Sequence, residues 1–204
     1  MQELRPGLWT WTAPHPDWKE SDGGPEGWDR LVRSYALDAG GCIVLIDPLS
    51  PPSLIEGLIE AQDVAVLLTV YWHARSAAEC VERFGASVYV ARASLENAKI
   101  SSARPYDLGD ELSGGVVAQN AYHPEETIFW IPAHRAIVAG DVLLPGEHGL
   151  RVQPDSWLPE GTTPKGVRDA LRPLLELPIE HVLLTHGDPV LENGRELLRA
   201  AIDA

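Results

Sequence analysis

Several residues that can bind a metal ion or transfer a proton stand next to apolar, strand-like segments. They are Asp47, His73, His123, Asp141 and His186. Taken singly, each is more typical of a hydrogen-bonded structural residue than of a ligand. Separate strands that carry such side chains to one edge of a sheet are, however, how α/β folds build binding sites. Their shared placement therefore predicts one polar site at a sheet edge.

Other kinds of catalytic centre have no counterpart in the sequence. It contains no G-x-S-x-G nucleophile motif, no phosphate-binding P-loop and no G-x-G-x-x-G after a strand. Cys42 and Cys80 have no C-x-x-C partners, which excludes a cysteine-rich zinc site and indicates buried, reduced thiols. Glu125 and Glu126 could act as a general acid or base, but their setting is more typical of a charged turn.

The composition is that of an ordinary globular protein with an acidic excess. The chain has 204 residues and a formal net charge of −14, and its length suits a single domain over residues 1–204. The charge disfavours nucleic acids and anionic membranes as partners, because both bind clustered Lys and Arg. The N-terminus lacks the apolar core of a secretory signal, and no run approaches the roughly 20 apolar residues of a membrane span. We therefore expect a cytoplasmic protein.

Apolar patterning and turn residues predict the elements of the first half. A hairpin is expected with strands over 31–37 and 42–46, and the second strand is apolar throughout, as in a strand buried on both faces. A helix is expected to follow, with Ser53 as its N-cap and Glu56 in a capping box. A further short helix is expected over 93–100.

The remaining helices follow buried strands in the same way. A helix over 74–85 is expected to end at Gly85, and another to begin near Pro164 and to break at Pro173. The stretch 144–163 is rich in Pro and Gly and is interpreted as an irregular loop that overhangs the site. Two halves of strands followed by helices predict an α/β fold of layered αββα architecture.

Together these segments resemble the metallo-β-lactamase superfamily over nearly the whole chain. The resemblance rests on "LIDP", "LTVYWHARSA", "YHPEETIFWIP" with "AIVAGDVL", and "VLLTHGDP". It implies a four-layer αββα sandwich, a hydrolase-like activity and a divalent metal such as zinc at one sheet edge. By this resemblance His123, Asp141 and His186 occupy positions of the family's metal ligands.

The family's signature loop, Thr-His-x-His-x-Asp-His, is where the sequence departs from the resemblance. Thr69 matches its first position. The four ligand positions hold Val70, Trp72, Ala74 and Arg75. His73 falls on a position that the family leaves free. The loop has thus lost all four of its metal ligands.

A catalytic zinc ion needs about three protein donors, so the surviving residues would hold one ion at most, or none. A mononuclear site could use His123, Asp141 and His186, with His73 turned inward. His15 and His148 could contribute from the loops.

The competing expectation is a site without metal, in which side chains replace the charge of the ions and fill the space that the ions would occupy. A buried Asp141 without a cation is costly unless it is paired, and a guanidinium binds a carboxylate through two parallel hydrogen bonds. We therefore predict an ion pair between Arg75 and Asp141, with Trp72 filling the vacated volume. Asp47 and Trp157 are expected to complete the charge balance and the pocket.

Three functional hypotheses remain open from the sequence. The first is a hydrolase-like protein with an incomplete metal site that no longer carries out dinuclear zinc hydrolysis. The second is a non-catalytic protein that binds a small molecule or a partner in the former active-site cleft. The third is an active mononuclear hydrolase of ester, thioester or lactam bonds with a rearranged site.

Overall fold

A computed structural model describes residues 1–24, 26–60, 62–147 and 149–204. Its strands are β1 (Gln2–Arg5), β2 (Leu8–Pro14), β3 (Leu31–Asp38), β4 (Cys42–Ile46), β5 (Asp63–Leu67), β6 (Ser87–Ala91), β7 (Arg104–Tyr106), β8 (Val117–Asn120), β9 (Thr127–Ile131), β10 (Ala136–Val138), β11 (Leu143–Gly146), β12 (Gly149–Val152) and β13 (His181–Leu183). Its α-helices are α1 (Ser53–Ile59), α2 (Ala77–Phe84), α3 (Pro164–Leu171) and α4 (Gly194–Asp203).

Two sheets, one from each half of the chain, form the centre of the described structure. In the first sheet β1 to β7 follow one another in sequence order, antiparallel up to β4 and parallel from β4 to β7. The second sheet has the order β13-β10-β9-β8, and β10 runs parallel to β13. The carboxyl ends of β4, β5, β10 and β13 carry the loops that build the site.

The sheets face each other across one apolar layer, and helices cover their outer faces. Ile46, Leu67 and Phe129 lie in the layer between the sheets. Helices α1 and α2 pack on the outer face of the first sheet, and α3 and α4 pack on that of the second. Because β4 and β5 contact both an inner and an outer layer, their central residues are apolar. The predicted αββα sandwich is confirmed.

Several sequence predictions hold at the level of single elements. The hairpin of β3 and β4 forms as expected, and α2 ends at Gly85, whose φ of 66° is left-handed. Helix α3 begins at Pro164, and a 3-10 segment, Arg172–Glu176, replaces it at Pro173. The two cysteines are free. In the described ranges, no helix has both the length and the apolar character that crossing a bilayer requires.

Three local predictions are wrong. Ser53 lies inside α1, whose N-cap is Pro52, so the expected capping box does not form. The expected helix over 93–100 is reduced to a 3-10 turn, Arg92–Ser94. The stretch after Asp141 is not wholly irregular, because β11 and β12 pair as a hairpin within it.

Candidate functional site

A buried histidine joins two carboxylates at the edge where the strands end. His73 lies in a 3-10 turn, Tyr71–Ala74, that follows β5. Its Nδ1 is 2.9 Å from Asp47 Oδ2, and its Nε2 is 3.4 Å from Asp141 Oδ1. Thr69 fixes the first carboxylate, because its backbone N–H donates to Asp47 Oδ1 at 2.9 Å and its hydroxyl donates to Oδ2 at 2.5 Å.

Asp141 lies close to several residues of the cluster, although its buried Oδ1 has no hydrogen-bond partner among the described residues. Its Oδ1 also lies 3.3 Å from His186 Nε2, and its Oδ2 accepts a hydrogen bond from the indole N–H of Trp72 at 3.0 Å. Its backbone N–H donates to Oε1 of the buried Glu126 at 3.1 Å. The preceding Gly140 permits this approach, since a Cβ there would lie 3.3 Å from Glu126 Oε1.

The electrostatics of this cluster follow from its burial and its charges. Burial alone lowers the pKa of His73, but Asp141 and Asp47 raise it to about 9. Burial alone raises the pKa of Asp141, yet His73 and His186 bring it well below its usual range. Burial and the neighbouring Asp141 both raise the pKa of Glu126. At neutral pH His73 is therefore an imidazolium between two carboxylates.

The predicted ion pair between Arg75 and Asp141 does not form. The Nη1 of Arg75 donates to the backbone carbonyls of Asp47 at 3.0 Å and Arg33 at 3.3 Å. Its Nε is buried and has no hydrogen-bond partner among the described residues. The role expected of the guanidinium falls to His73, because the turn places the imidazole directly between the carboxylates.

Two further residues, Trp72 and His123, do not lie where the sequence predicts them. Trp72 is 46% exposed, so it does not fill a buried volume but contacts Asp141 through its indole edge. His123 does not line the cavity that Asp141 and His186 share, and its Nδ1 is buried without a partner among the described residues. His148 lies outside the described residues.

A cavity of about 470 Å³ opens beside this cluster. Its polar lining includes His73, Arg75, Glu126, Asp141 and His186, and its aromatic lining includes Trp28, Trp72 and Trp157. His15, Asp17, Val32, Gln153 and Pro159 complete it. The expected pocket residue Trp157 is thus at the cavity, whereas Asp47 lies behind His73 and does not reach it.

Two loops are fastened together beside the cavity. The loop after β2 contributes Trp28, and the loop after β12 contributes Trp157. Glu26 joins them, because its carbonyl accepts from the Trp157 indole N–H at 2.7 Å and its carboxylate accepts from the Ser156 hydroxyl at 2.8 Å. We refer to these two hydrogen bonds as the Glu26 clasp.

The described residues at this edge are not arranged as the metal centre that the resemblance implies. Within the described ranges, no group of three or more His, Cys, Asp or Glu side chains is arranged to hold a metal ion. Oδ2 of Asp141 accepts a hydrogen bond from Trp72. Its buried Oδ1 lies within 3.4 Å of His73 and His186 but has no hydrogen-bond partner among the described residues. The Nδ1 of His73 is engaged by Asp47.

Sequence reasoning did not predict two buried polar residues at the cavity, Glu126 and Gln153. The sequence pattern assigns Glu126 to a charged turn, yet it is only 4% exposed. Its position directly before the fully buried β9 is the available signal, because a residue there enters the sheet edge. Gln153 gives no signal, since its burial depends on the pairing of β11 with β12.

Comparisons with known proteins identify the fold. No protein-family model and no curated protein matches the chain. Among solved structures, the metallo-beta-lactamase family protein TTHA1429 from Thermus thermophilus is 18% identical, with a TM-score of 0.60, over 97% of this chain and 80% of that one. TTHA1623, solved in a di-iron-bound form, is 26% identical, with a TM-score of 0.62, over 88% and 95%. The archaeal superfamily protein ST1585 from Sulfolobus tokodaii is 13% identical, with a TM-score of 0.69, over 97% and 85%.

Proposed function

We propose that this chain, which has the fold of the metallo-β-lactamase superfamily, binds a small organic molecule in the cavity and does not carry out dinuclear metal hydrolysis. The observation that carries the proposal is the arrangement around Asp141. The indole N–H of Trp72 donates to one oxygen of this carboxylate, and the imidazole of His73 lies 3.4 Å from the other, where the resemblance would place a cation.

The chemistry of the superfamily depends on a metal that makes water nucleophilic by lowering its pKa. Such an ion needs about three protein donors and an open coordination position. The loop at 70–75 offers only His73, whose Nδ1 side is fixed by Asp47 and whose Nε2 side faces Asp141. The hypothesis of an incomplete metal site is therefore retained, and that of a rearranged mononuclear hydrolase becomes the alternative that the experiment tests.

The cavity itself has the properties of a small-molecule site. Such sites have volumes of roughly 300–1,000 Å³, mostly apolar walls and a few well-placed polar groups, and this one measures about 470 Å³. Trp28 and Trp157 flank the ring of His186 edge-on, with centroid distances of 5.5 and 6.0 Å. The aromatic walls would give a ligand apolar contact, and the polar cluster would orient it.

The first experiment measures metal content and ligand binding on the same preparation. Protein purified without chelator is analysed for metal, and a fragment collection is titrated by tryptophan fluorescence. We expect less than one ion per chain and ligands whose binding is lost in His186→Ala. His134→Ala is the matched control, since His134 ends the 3-10 turn after β9, away from the cavity lining.

Hydrolysis assays test whether the protein is a metal-dependent enzyme instead. Ester, thioester and lactam substrates are tested with and without added zinc. Two ions per chain with metal-dependent turnover would overturn the proposal. One ion per chain that is lost in both Asp141→Ala and His186→Ala, with turnover, would instead support the mononuclear hydrolase.

A further inference from the structure

We infer that the molecule bound in this cavity carries an oxyanion, a carboxylate or a phosphate, and that Arg75 recognises it. The inference rests on the proposed function and names the chemical class of its ligand. Three independent features of Arg75 support it: its guanidinium forms no direct ion pair, its backbone is strained, and one side of its guanidinium is anchored while the other is not.

The first feature is a cation without an anionic partner. No carboxylate among the described residues forms an ion pair with Arg75, whose Nη1 donates only to two backbone carbonyls. The charges of Asp47 and Asp141 act on the guanidinium only at a distance, and His73 contacts both carboxylates directly. Charges taken out of water in proteins are normally paired. A ligand that brings a negative charge would supply the missing partner.

The second feature is the backbone of Arg75. Its φ of 36° and ψ of −112° lie outside the regions that residues with a Cβ occupy, and such strain costs on the order of 1–3 kcal/mol. Strained residues of this kind cluster at ligand-binding sites. A glycine would relieve the strain, so the presence of arginine there indicates that the side chain has a use.

The third feature is the orientation of the guanidinium. Arg75 lines the cavity, and its two bonds to the carbonyls of Arg33 and Asp47 hold it in place through Nη1 alone. The Nε–H is buried and lacks an acceptor within the described part of the chain. Nη2 lies on the same side of the guanidinium and forms no hydrogen bond with a described residue, so it can donate to a carboxylate or phosphate oxygen in the cavity.

The test compares three small aromatic probes of similar size: benzoate, phenyl phosphate and the neutral benzamide. Binding to the full chain is measured by tryptophan fluorescence and by calorimetry. We expect one or both anions to bind roughly tenfold more tightly than benzamide, because charge-assisted bonds are the stronger ones. The preference between benzoate and phenyl phosphate distinguishes a carboxylate ligand from a phosphate ligand.

Arg75→Gly removes the guanidinium and relieves the backbone. We expect it to fold with an unfolding midpoint no lower than that of the wild type and to lose the preference for anions. Lys99→Gly is the matched control, because exposed Lys99 also has a positive φ, of 54°, and lies outside the cavity lining. It should keep the preference while losing the same formal charge. Arg75→Lys keeps the positive charge but lacks the planar guanidinium, and it should bind the anions more weakly than the wild type.

The outcomes separate the inference from the proposed function. Binding of both anions no tighter than that of benzamide would overturn the inference and leave the cavity as a binding site for neutral molecules. An anion preference that survives in both Arg75 variants would overturn the role of Arg75. A large fall in the unfolding midpoint of Arg75→Gly, with anion binding unchanged in Arg75→Lys, would make Arg75 a structural cross-link. If neither these probes nor any fragment binds, the proposed function itself fails.

Discussion

The indole N–H of Trp72 donates a hydrogen bond to the carboxylate of Asp141 at 3.0 Å. By the family resemblance, both residues occupy positions of metal ligands. A donor that belongs to the chain thus occupies one of the directions from which a cation would approach. The contact is accessible to mutation because Trp72 is 46% exposed.

Trp72→Phe keeps an aromatic ring and removes the donor. We expect the free energy of unfolding to fall by about 1 kcal/mol, because one oxygen of a buried carboxylate loses its partner. Urea denaturation measures the change. Trp18→Phe is the control, since it removes a part-buried indole bond to the carbonyl of Trp28 that involves no charged group and should cost less. An equal loss in the free energy of unfolding for both substitutions would mean that the bond to Asp141 stabilises the protein no more than an ordinary indole hydrogen bond.

The pH dependence of stability should report the imidazolium of His73. Its pKa in the folded chain, about 9, lies above the usual value of 6.5. The stabilisation is therefore complete below pH 6.5 and is lost as the pH rises through 9. We expect the urea midpoint of the wild type to fall over this window and that of His73→Gln to change much less. Parallel profiles for the two proteins would contradict this assignment of charge.

Glu126→Gln should stabilise the protein at neutral pH. Burial and Asp141 raise the pKa of Glu126 above its usual value of 4.5, so the folded chain retains a proton that the unfolded chain has lost. Because folding then requires a proton to be bound, the free energy of unfolding falls as the pH rises above 4.5. Glutamine avoids it, and we expect a gain of about 1–3 kcal/mol at pH 7 that shrinks towards pH 5.

Glu125→Gln is the matched control for that experiment. The carboxylate of Glu125 accepts from the Asn97 side chain at an exposed position, where a glutamine can accept in the same way. Its free energy of unfolding should therefore change little with pH relative to the wild type. A pH-independent effect of Glu126→Gln would show that its carboxyl is not held in the protonated form.

The two thiols should differ in reactivity. Burial raises the pKa of Cys80 to about 12, and it also raises that of the half-buried Cys42. Because the thiolate is the reactive form, a disulfide reagent at pH 8 should modify Cys42 slowly and leave Cys80 intact until the chain unfolds. Cys42→Ser should then show no labelling in the folded state. Rapid labelling of Cys80 in that variant would contradict the burial of α2 against β5.

Much of the fold could be predicted because the strands carry strong local signals. The apolar runs of β4 and β5 indicate strands buried on both faces, and Gly85 and Pro173 mark helix ends through backbone constraints that act locally. The capping box at Ser53 fails because Pro52 takes the N-cap position itself. That difference of one residue lies within the ordinary uncertainty of a helix boundary.

The site was harder to predict because its contacts join residues distant in sequence. The loss of ligands at Val70, Trp72, Ala74 and Arg75 is visible directly in the sequence, but the choice between Arg75 and His73 as the partner of Asp141 depends on the path of the turn. The strained backbone of Arg75 carries its guanidinium to backbone carbonyls instead. No pattern of residue types encodes that direction.

The Glu26 clasp has a consequence for ligand affinity. Its two bonds connect a loop that follows β2 to a loop that follows β12, and both loops supply walls of the cavity. Because these bonds hold Trp28 and Trp157 in place before a ligand arrives, binding between them orders less of the chain, which is the general benefit of preorganisation. Breaking the clasp would then weaken binding without removing a single contact to the ligand.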